Sequence, residues 1–151
     1  MRDAVESDCV AISELALASK AYWGYDDAFM AACRDELTMR ASDLSRARVR
    51  VAEENGGIVG FHGVTVDGRG AELEWLFVAP DAIRTGVGQQ LYDDARRIAA
   101  AAGATSFRIE ADPNAVAFYV RIGARLFGEV PSASIPGRVI PVLEADESST
   151  E

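Results

Sequence analysis

One stretch of the sequence restricts the fold more than any other. A run with strand character over residues 71–79 stops at Pro80, a short loop follows, and Gly86 and Gly88 then lead into a long helical repeat. In that repeat the apolar residues recur at helical spacing, at Val87, Leu91, Ala95, Ile98 and Ala102. Gly103 is placed to end the helix. The pattern predicts a strand, a glycine-containing turn and a helix in direct succession.

The rest of the chain alternates between helical and strand patterns. Asn55-Gly56 between two β-branched runs is typical of a hairpin turn, and Asp26 and Asp27 suit the start of a helix. The predicted order is α, α, β, β, β, α, β, α, β, β, with helices at 8–20, from 26, at 87–102 and at 115–122, and strands at 47–54, 58–66, 71–79, 106–111, 126–130 and 139–143. Ser7 or Asp8 is expected to cap the first helix.

Composition excludes several classes of protein. The 151 residues, 49% hydrophobic, suit one soluble domain, which we assign to residues 1–146, followed by a disordered acidic tail at 147–151. A net charge of −9 without a basic stripe argues against nucleic acid as a partner. The uncharged runs are too short for a membrane span, and the charged first residues do not resemble a signal peptide, so we expect a cytoplasmic protein. The single histidine, His62, and the separated Cys9 and Cys33 predict no metal site.

The glycine turn predicts a site for an anion. Glycines let successive backbone N–H groups converge at the start of a helix, where the helix dipole adds positive potential. We expect this anion to be a pyrophosphate, to which Arg84 could add a charge-assisted contact. The loop lacks the Gly-Lys-Ser/Thr ending of a P-loop, and it lies too late in the chain for a dinucleotide fingerprint.

Two carboxylates lie on the strand before this turn. Strict alternation over 71–79 would place Glu72, Glu74, Leu76 and Val78 on one face and Leu73, Trp75 and Phe77 on the other. Repulsion between the carboxylates and partial burial should then raise one pKa toward the range of a general base. The alternative is that both are exposed strand residues.

Several motifs together resemble the GNAT superfamily of N-acetyltransferases. They are Glu72-Leu73-x-x-Leu76-Phe77-Val78-x-Pro80, then Gly86-x-Gly88 at a helix start, then Asn114 with Phe118-Tyr119 and Gly123-Ala124. The resemblance implies an α+β domain with a mixed, mostly antiparallel twisted sheet flanked by helices, whose strand before the cofactor-binding helix splays from its neighbour. It also implies acetyl-CoA as co-substrate, with the pantetheine arm along Leu76, Phe77 and Val78. The coenzyme A phosphates would lie at Ile83, Arg84, Thr85, Gly86, Val87, Gly88 and Gln89, with a further contact from Asn114; Ile83 replaces the Arg or Gln that is frequent in the family.

The resemblance also assigns catalytic roles. Glu72, with Glu74 as the second candidate, matches the glutamate that accepts the proton of the amine, directly or through water, and Tyr119 matches the tyrosine that protonates the leaving thiolate. Tyr119 with Phe118 also fits ordinary helix packing, and Asn114 equally fits a helix N-cap.

The implied activity is acetyl transfer to a primary amine of a small molecule, an amino acid or peptide, or a protein, by direct attack without a covalent enzyme intermediate. The first two helices and the last hairpin commonly form the acceptor site in this family. The candidates are therefore Lys20, Tyr22, Trp23, Tyr25 and the segment 134–138, which ends at Arg138. Aromatic faces and carboxylates would suit a cationic amine, whereas Arg138 could bind a carboxylate. The competing reading is a non-catalytic acyl-CoA-binding sensor, and the family resemblance also suggests a homodimer.

Overall fold

The computed structural model describes residues 1–146, which form a seven-stranded sheet with helices on both sides. The predicted tail at 147–151 lies outside the described residues. In chain order the elements are β1 (Arg2–Asp3), α1 (Cys9–Ala21), α2 (Asp27–Cys33), α3 (Ala41–Arg46), β2 (Arg48–Glu54), β3 (Gly57–Asp67), β4 (Gly70–Val78), α4 (Val87–Ala101), β5 (Ser106–Glu110), α5 (Val116–Arg121), β6 (Arg125–Pro131) and β7 (Val139–Asp146). Short 3-10 turns lie at Glu6–Asp8, Pro80–Ala82 and Pro113–Ala115.

The strands are ordered β1-β2-β3-β4-β5-β7-β6. All neighbours are antiparallel except β4 and β5, which run parallel. The parallel pair needs a crossover, and α4 provides it, because strands that run in the same direction cannot be joined by a tight turn. The mixed, mostly antiparallel sheet predicted from the sequence is therefore confirmed.

The sheet separates two apolar layers. On one side α4 and α5 pack on the sheet around Leu73, Tyr92, Phe107 and Tyr119. On the other side α1 and the segments after it pack around Ile12, Val49 and Phe61. The long helix α4 buries Val87, Leu91 and Ala95 of the predicted stripe. Ile98 is half-buried, and Ala102 lies just beyond the helix and is exposed.

A β-bulge in β4 corrects the predicted alternation. Leu73 is opposite Val64 and Trp75 is opposite Gly63, so Glu74 is an extra residue in the ladder. As a result Leu73 and Leu76 both pack toward α4, whereas Trp75 and Phe77 pack toward α1. The prediction that Glu72 and Glu74 share a face with Leu76 and Val78 is wrong, because one inserted residue reverses the alternation beyond it.

The sequence patterns missed or misplaced a few local features. They missed β1 and the one-turn helix α3, and α2 ends at Cys33, before Leu37. Asp8 occupies the position before α1 without capping it, since its carboxylate accepts hydrogen bonds from the Val5 N–H and from Arg2. No helix among residues 1–146 is long and apolar enough to cross a membrane.

Candidate active site

The candidate site is a cleft of about 1100 Å³ that begins where β4 and β5 separate. The two strands pair from Gly70 opposite Ser106 to Leu73 opposite Ile109, and β4 then continues to Val78 paired only with β3. Within residues 1–146, no strand pairs with the other side of β4 beyond Leu73. The backbone groups on that side are therefore free to bind an extended ligand.

The glycine turn lies at one end of this cleft. The chain turns through positive φ angles at Arg84 (69°) and Gly86 (94°), and the first hydrogen bond into α4 runs from Gln90 N to Gly86 O, at 3.1 Å. The N–H groups of residues 86–89 thus have no partner within the helix. Gly88 lets α5 approach closely, because a Cβ there would lie 3.2 Å from the Phe118 ring. These features fit a bound diphosphate, because unpaired N–H groups at a helix start and the positive end of the helix dipole attract anions.

Most of the predicted cofactor residues line the cleft. Thr85 and Val87 do not: the Thr85 hydroxyl donates to the Ala82 carbonyl, and the Val87 side chain is buried. These two could offer only backbone N–H groups to a ligand. Phe77 also packs in the core, 5.7 Å from the Phe61 ring. The residues that do line the cleft are Leu76, Phe77, Val78, Ile83, Arg84, Gly86, Gly88, Gln89 and Asn114.

Three carboxyl groups, rather than the two predicted, meet at the strand separation. Glu72 and Glu74 lie on β4, and Glu110 ends β5 one residue after the last paired position. Burial raises the pKa of Glu72, and the nearby Glu74 and Glu110 raise it further. Glu74 is different, because it accepts hydrogen bonds from Arg46 at 3.0 Å and from Thr65 at 3.3 Å. Glu110 could be recognised only once β5 was known to run parallel beside β4.

Tyr119 enters the cleft from the α5 side. It is 5% exposed, and its ring lies 5.1 Å from Phe118 and 5.9 Å from Tyr92. Burial raises the pKa of Tyr119 well above its ordinary value, with a smaller contribution from Tyr92. The phenol is therefore protonated at neutral pH and can donate a proton or a hydrogen bond. Tyr119 therefore both packs in the apolar core, as ordinary helix packing predicts, and lines the cleft, as a proton donor must.

A hydrogen-bonded cluster around Asp112, which we call the Asp112 cluster, closes the end of the cleft beside α1 and α2. The Asp112 carboxylate accepts from Lys20 Nζ at 2.6 Å and from the Tyr25 hydroxyl at 2.8 Å. Arg138 Nη2 donates to the Tyr25 oxygen at 3.0 Å and lies 3.4 Å from Asp112. Although burial opposes it, the hydrogen bonds from Lys20 and from the Asn114 N–H hold the pKa of Asp112 at about 2, so the carboxylate is charged.

The Asp112 cluster also redefines Asn114. The capping side chain of the Pro113–Ala115 turn is Asp112, which accepts from the Asn114 N–H at 2.8 Å. The Asn114 amide instead donates to Tyr25 at 3.0 Å and to Asp112 at 2.9 Å. The N-cap alternative for Asn114 is wrong, because the cap lies two residues earlier. Of the predicted acceptor residues, Lys20, Tyr25 and Arg138 belong to the cluster. Trp23 lines the cleft and is 42% exposed.

Metal ligands are not grouped anywhere in residues 1–146. His62 is buried in the sheet, with Nε2 2.7 Å from the Asp94 carboxylate and no hydrogen-bond partner for Nδ1 in the described part of the chain. Cys33 is buried and Cys9 is half-buried, and neither forms a disulfide.

Solved structures share this architecture. PaiA N-acetyltransferase from Thermoplasma acidophilum, in complex with coenzyme A, is 17% identical with a TM-score of 0.82, and the alignment covers 96% of each chain. The ribosomal-protein-S18-alanine N-acetyltransferase from Escherichia coli is 18% identical with a TM-score of 0.70, over 95% of this chain and 90% of the other. A GNAT family acetyltransferase from Elizabethkingia anophelis with acetyl-CoA bound is 17% identical with a TM-score of 0.59, over 70% and 79%. At these identities the likeness establishes the fold.

The sequence comparison supplies the family. Curated protein sequences give no match. The family model described as the acetyltransferase (GNAT) domain matches residues 45–123, which include the strand separation, the glycine turn and Tyr119. The chain belongs to the GNAT acetyltransferase family.

Proposed function

We propose that this protein transfers an acetyl group from acetyl-CoA to an amine, by direct attack within the cleft. The observation that carries the proposal is the separation of β4 from β5 beside the open amides of α4. The glycine turn at one end of the cleft suits a diphosphate, and the free edge of β4 suits an extended arm. In coenzyme A the diphosphate and the pantetheine arm are successive parts of one long molecule. Family members similar in fold were crystallised with coenzyme A or acetyl-CoA, which supports the same ligand here.

Binding would follow from the backbone more than from side chains. The N–H groups of residues 86–89 would hold the diphosphate, and Arg84, which is exposed at the same turn, would add a charged contact. The free backbone edge of Leu76, Phe77 and Val78 would pair with the amides of the pantetheine arm, as an added strand pairs with a sheet edge. Acetyl-CoA supplies the acetyl group as a reactive thioester, so the protein needs no nucleophile of its own.

Removing a proton from the acceptor amine is the first chemical task of the protein. An ammonium group cannot attack until it loses a proton, and a carboxylate with a raised pKa accepts protons more readily near neutral pH. We assign this role to Glu72, because burial raises the pKa of its carboxyl group and the neighbouring Glu74 and Glu110 raise that pKa further. Glu74 is the weaker candidate, because its carboxylate is engaged by Arg46.

Protonating the leaving thiolate is the second task. Tyr119 carries a protonated phenol and lines the same cleft as Glu72 and Glu110, while its ring packs in the layer that α4 covers. Donor and acceptor would therefore meet at the strand separation, where the two layers open to each other. Holding both reactants in one cleft supplies much of the rate enhancement, because it replaces a bimolecular encounter.

Release of free coenzyme A tests the proposal. The protein is incubated with acetyl-CoA and a panel of primary amines, and the new thiol is measured. We expect Tyr119→Phe and Glu72→Gln each to lower kcat by about 10²- to 10⁴-fold while leaving the Kd for coenzyme A unchanged. Glu53→Gln is the matched control, because Glu53 is an exposed residue of β2 whose carboxylate pairs with Arg2. Tight binding of acetyl-CoA without turnover of any amine would favour the sensor reading instead.

A further inference from the structure

The aromatic pair at the acceptor end is already occupied by cations of the protein itself. Tyr25 and Phe29 stack with centroids 3.9 Å apart and planes within 10°. Lys20 Nζ lies 5.4 Å from the Tyr25 centroid and 5.8 Å from that of Phe29. The Arg138 guanidinium lies 5.4 Å and 4.8 Å from the same two rings. These rings therefore do not offer a free cage for the ammonium of an acceptor.

Positive charge exceeds negative charge in the Asp112 cluster. Lys20 and Arg138 share the single carboxylate of Asp112, while Asn114 carries no charge. Tyr25 is also neutral, because burial and the adjacent Asp112 raise the pKa of its phenol to about 12. The three charged side chains are only 12%, 17% and 13% exposed, in the order Lys20, Arg138, Asp112. An unbalanced charge at such sites is unfavourable unless a counterion approaches.

Arg138 has donors to offer such a counterion. Its hydrogen bonds to the described residues all come from Nη2, to Tyr25 and to Asp112. A guanidinium has five N–H donors, so those on Nη1 and Nε have no acceptor within residues 1–146. Both Arg138 and Lys20 line the cleft. A carboxylate or phosphate is the group that a guanidinium with free donors binds best.

The opposite charge lies elsewhere in the same cleft. Glu72 and Glu110 lie at the strand separation, and their nearness raises the pKa of Glu72. Two other acidic residues of the cleft wall are paired, Asp35 with Arg40 and Glu74 with Arg46. A third, Glu36, accepts a hydrogen bond from the Ser134 hydroxyl, and Arg84 and Arg121 line other parts of the cleft. The cleft thus carries negative charge at the strand separation, where an amine would react, and an excess of positive charge at the Asp112 cluster.

From this charge arrangement we propose that the acceptor carries an anionic group as well as its amine, and that Arg138, with Lys20, binds that group. The inference rests on the proposed function, whose acceptor it narrows from any amine to a zwitterionic one. Arg138 is then a specificity-determining residue, and Tyr25 and Phe29 position it rather than contact the substrate.

Matched pairs of acceptors test the proposal with the full chain. Amino acids are compared with their amides, and O-phosphoethanolamine with ethanolamine, by release of free coenzyme A; the two kinds of pair distinguish carboxylate from phosphate. We expect kcat/KM to be about tenfold or more higher for the anionic member of at least one kind of pair. Equal kcat/KM within every pair would overturn the inference and leave the proposed function intact, whereas no release from any amine would overturn both.

Variants locate the anion site. Arg138→Gln should raise KM about tenfold or more for the anionic acceptors and leave KM for their neutral partners and for acetyl-CoA unchanged. Arg138→Lys should restore part of the preference. Arg125→Gln, which removes the same charge from an exposed position on the edge strand β6, is the control. A uniform loss with both members of each pair would assign Arg138 a structural role and refute the proposal. If Arg138→Gln does not fold, the acceptor preference of the unmodified protein still decides.

Discussion

Two glycines at opposite ends of α4 allow a direct test of the proposed coenzyme A site. Gly86 has φ of 94° before the helix and Gly103 has φ of 90° after it, and a Cβ at either position would meet no atom within 4 Å. Gly86→Ala and Gly103→Ala therefore introduce the same backbone strain and no steric clash. Only Gly86 lies in the cleft.

The expected magnitudes follow from this geometry. A left-handed conformation costs an alanine about 1–2 kcal/mol, so each variant should lose stability by that amount, or about 2–8 °C in Tm for a domain of this size. If the turn at Gly86 relaxes to relieve the strain, at least two amides of α4 lose their alignment with the diphosphate. Hydrogen bonds to charged groups contribute about 1.5–3 kcal/mol each, so Kd for coenzyme A should rise about 100-fold or more.

Calorimetric titration with coenzyme A and thermal unfolding measure the two effects separately. We expect both variants to unfold at similarly reduced temperatures while only Gly86→Ala loses affinity for coenzyme A. If Gly86→Ala binds as tightly as the unmodified protein, or if Gly103→Ala loses affinity equally, the helix start does not bind the diphosphate.

Three further predictions concern titratable groups. Burial lowers the pKa of His62 below 6.5 in the folded protein, so on acidification the unfolded chain takes up a proton at this residue before the folded protein does. The stability that the neutral His62 contributes is therefore complete above about pH 6.5 and falls at lower pH. His62→Gln should reduce this difference between urea unfolding at about pH 7.5 and at about pH 5.5. The pKa of Asp112 is lowered from 3.8 to about 2, so its charged form contributes about 2 kcal/mol to the free energy of unfolding above pH 3.8, and this is lost toward pH 2. Asp112→Asn should lower the free energy of unfolding in urea at pH 7 by at least this amount. A difference between the two proteins that persists unchanged near pH 2 would contradict the assignment. Because Glu110 raises the pKa of Glu72, Glu110→Gln should move the acid limb of the kcat/KM profile to lower pH while turnover continues; loss of turnover at every pH would make Glu110 itself the base.

Local patterns predicted the elements around the proposed donor site. The helical spacing in α4, the Asn-Gly turn between β2 and β3, and the glycines after Pro80 depend on residues close together in sequence, and each was found where expected. The family resemblance in the same segment is confirmed by the match to residues 45–123. Backbone conformation and helix amphipathicity act over a few residues, so a sequence reveals them directly.

The bulge at Glu74 shows where such reasoning stops. Nothing in the run 71–79 marks Glu74 as an inserted residue, because the register is set by pairing with β3. Gly63 on β3 makes room for the Trp75 ring, since a Cβ there would lie 2.4 Å from it. This contact joins residues of two different strands, and it decides which side of the sheet each later side chain of β4 faces.

By itself, the sequence determined that the chain folds as a strand, glycine turn and helix suited to a diphosphate, within a mixed sheet. Only the tertiary structure brought Glu110 beside Glu72 and placed Lys20, Tyr25, Asp112 and Arg138 in one cluster. These residues come from segments up to 118 positions apart, Lys20 to Arg138, and their meeting depends on strand order and on loop paths. The proposed donor site is therefore readable from local sequence because backbone atoms would form it, whereas the proposed acceptor site is built from side chains that only long-range packing brings together.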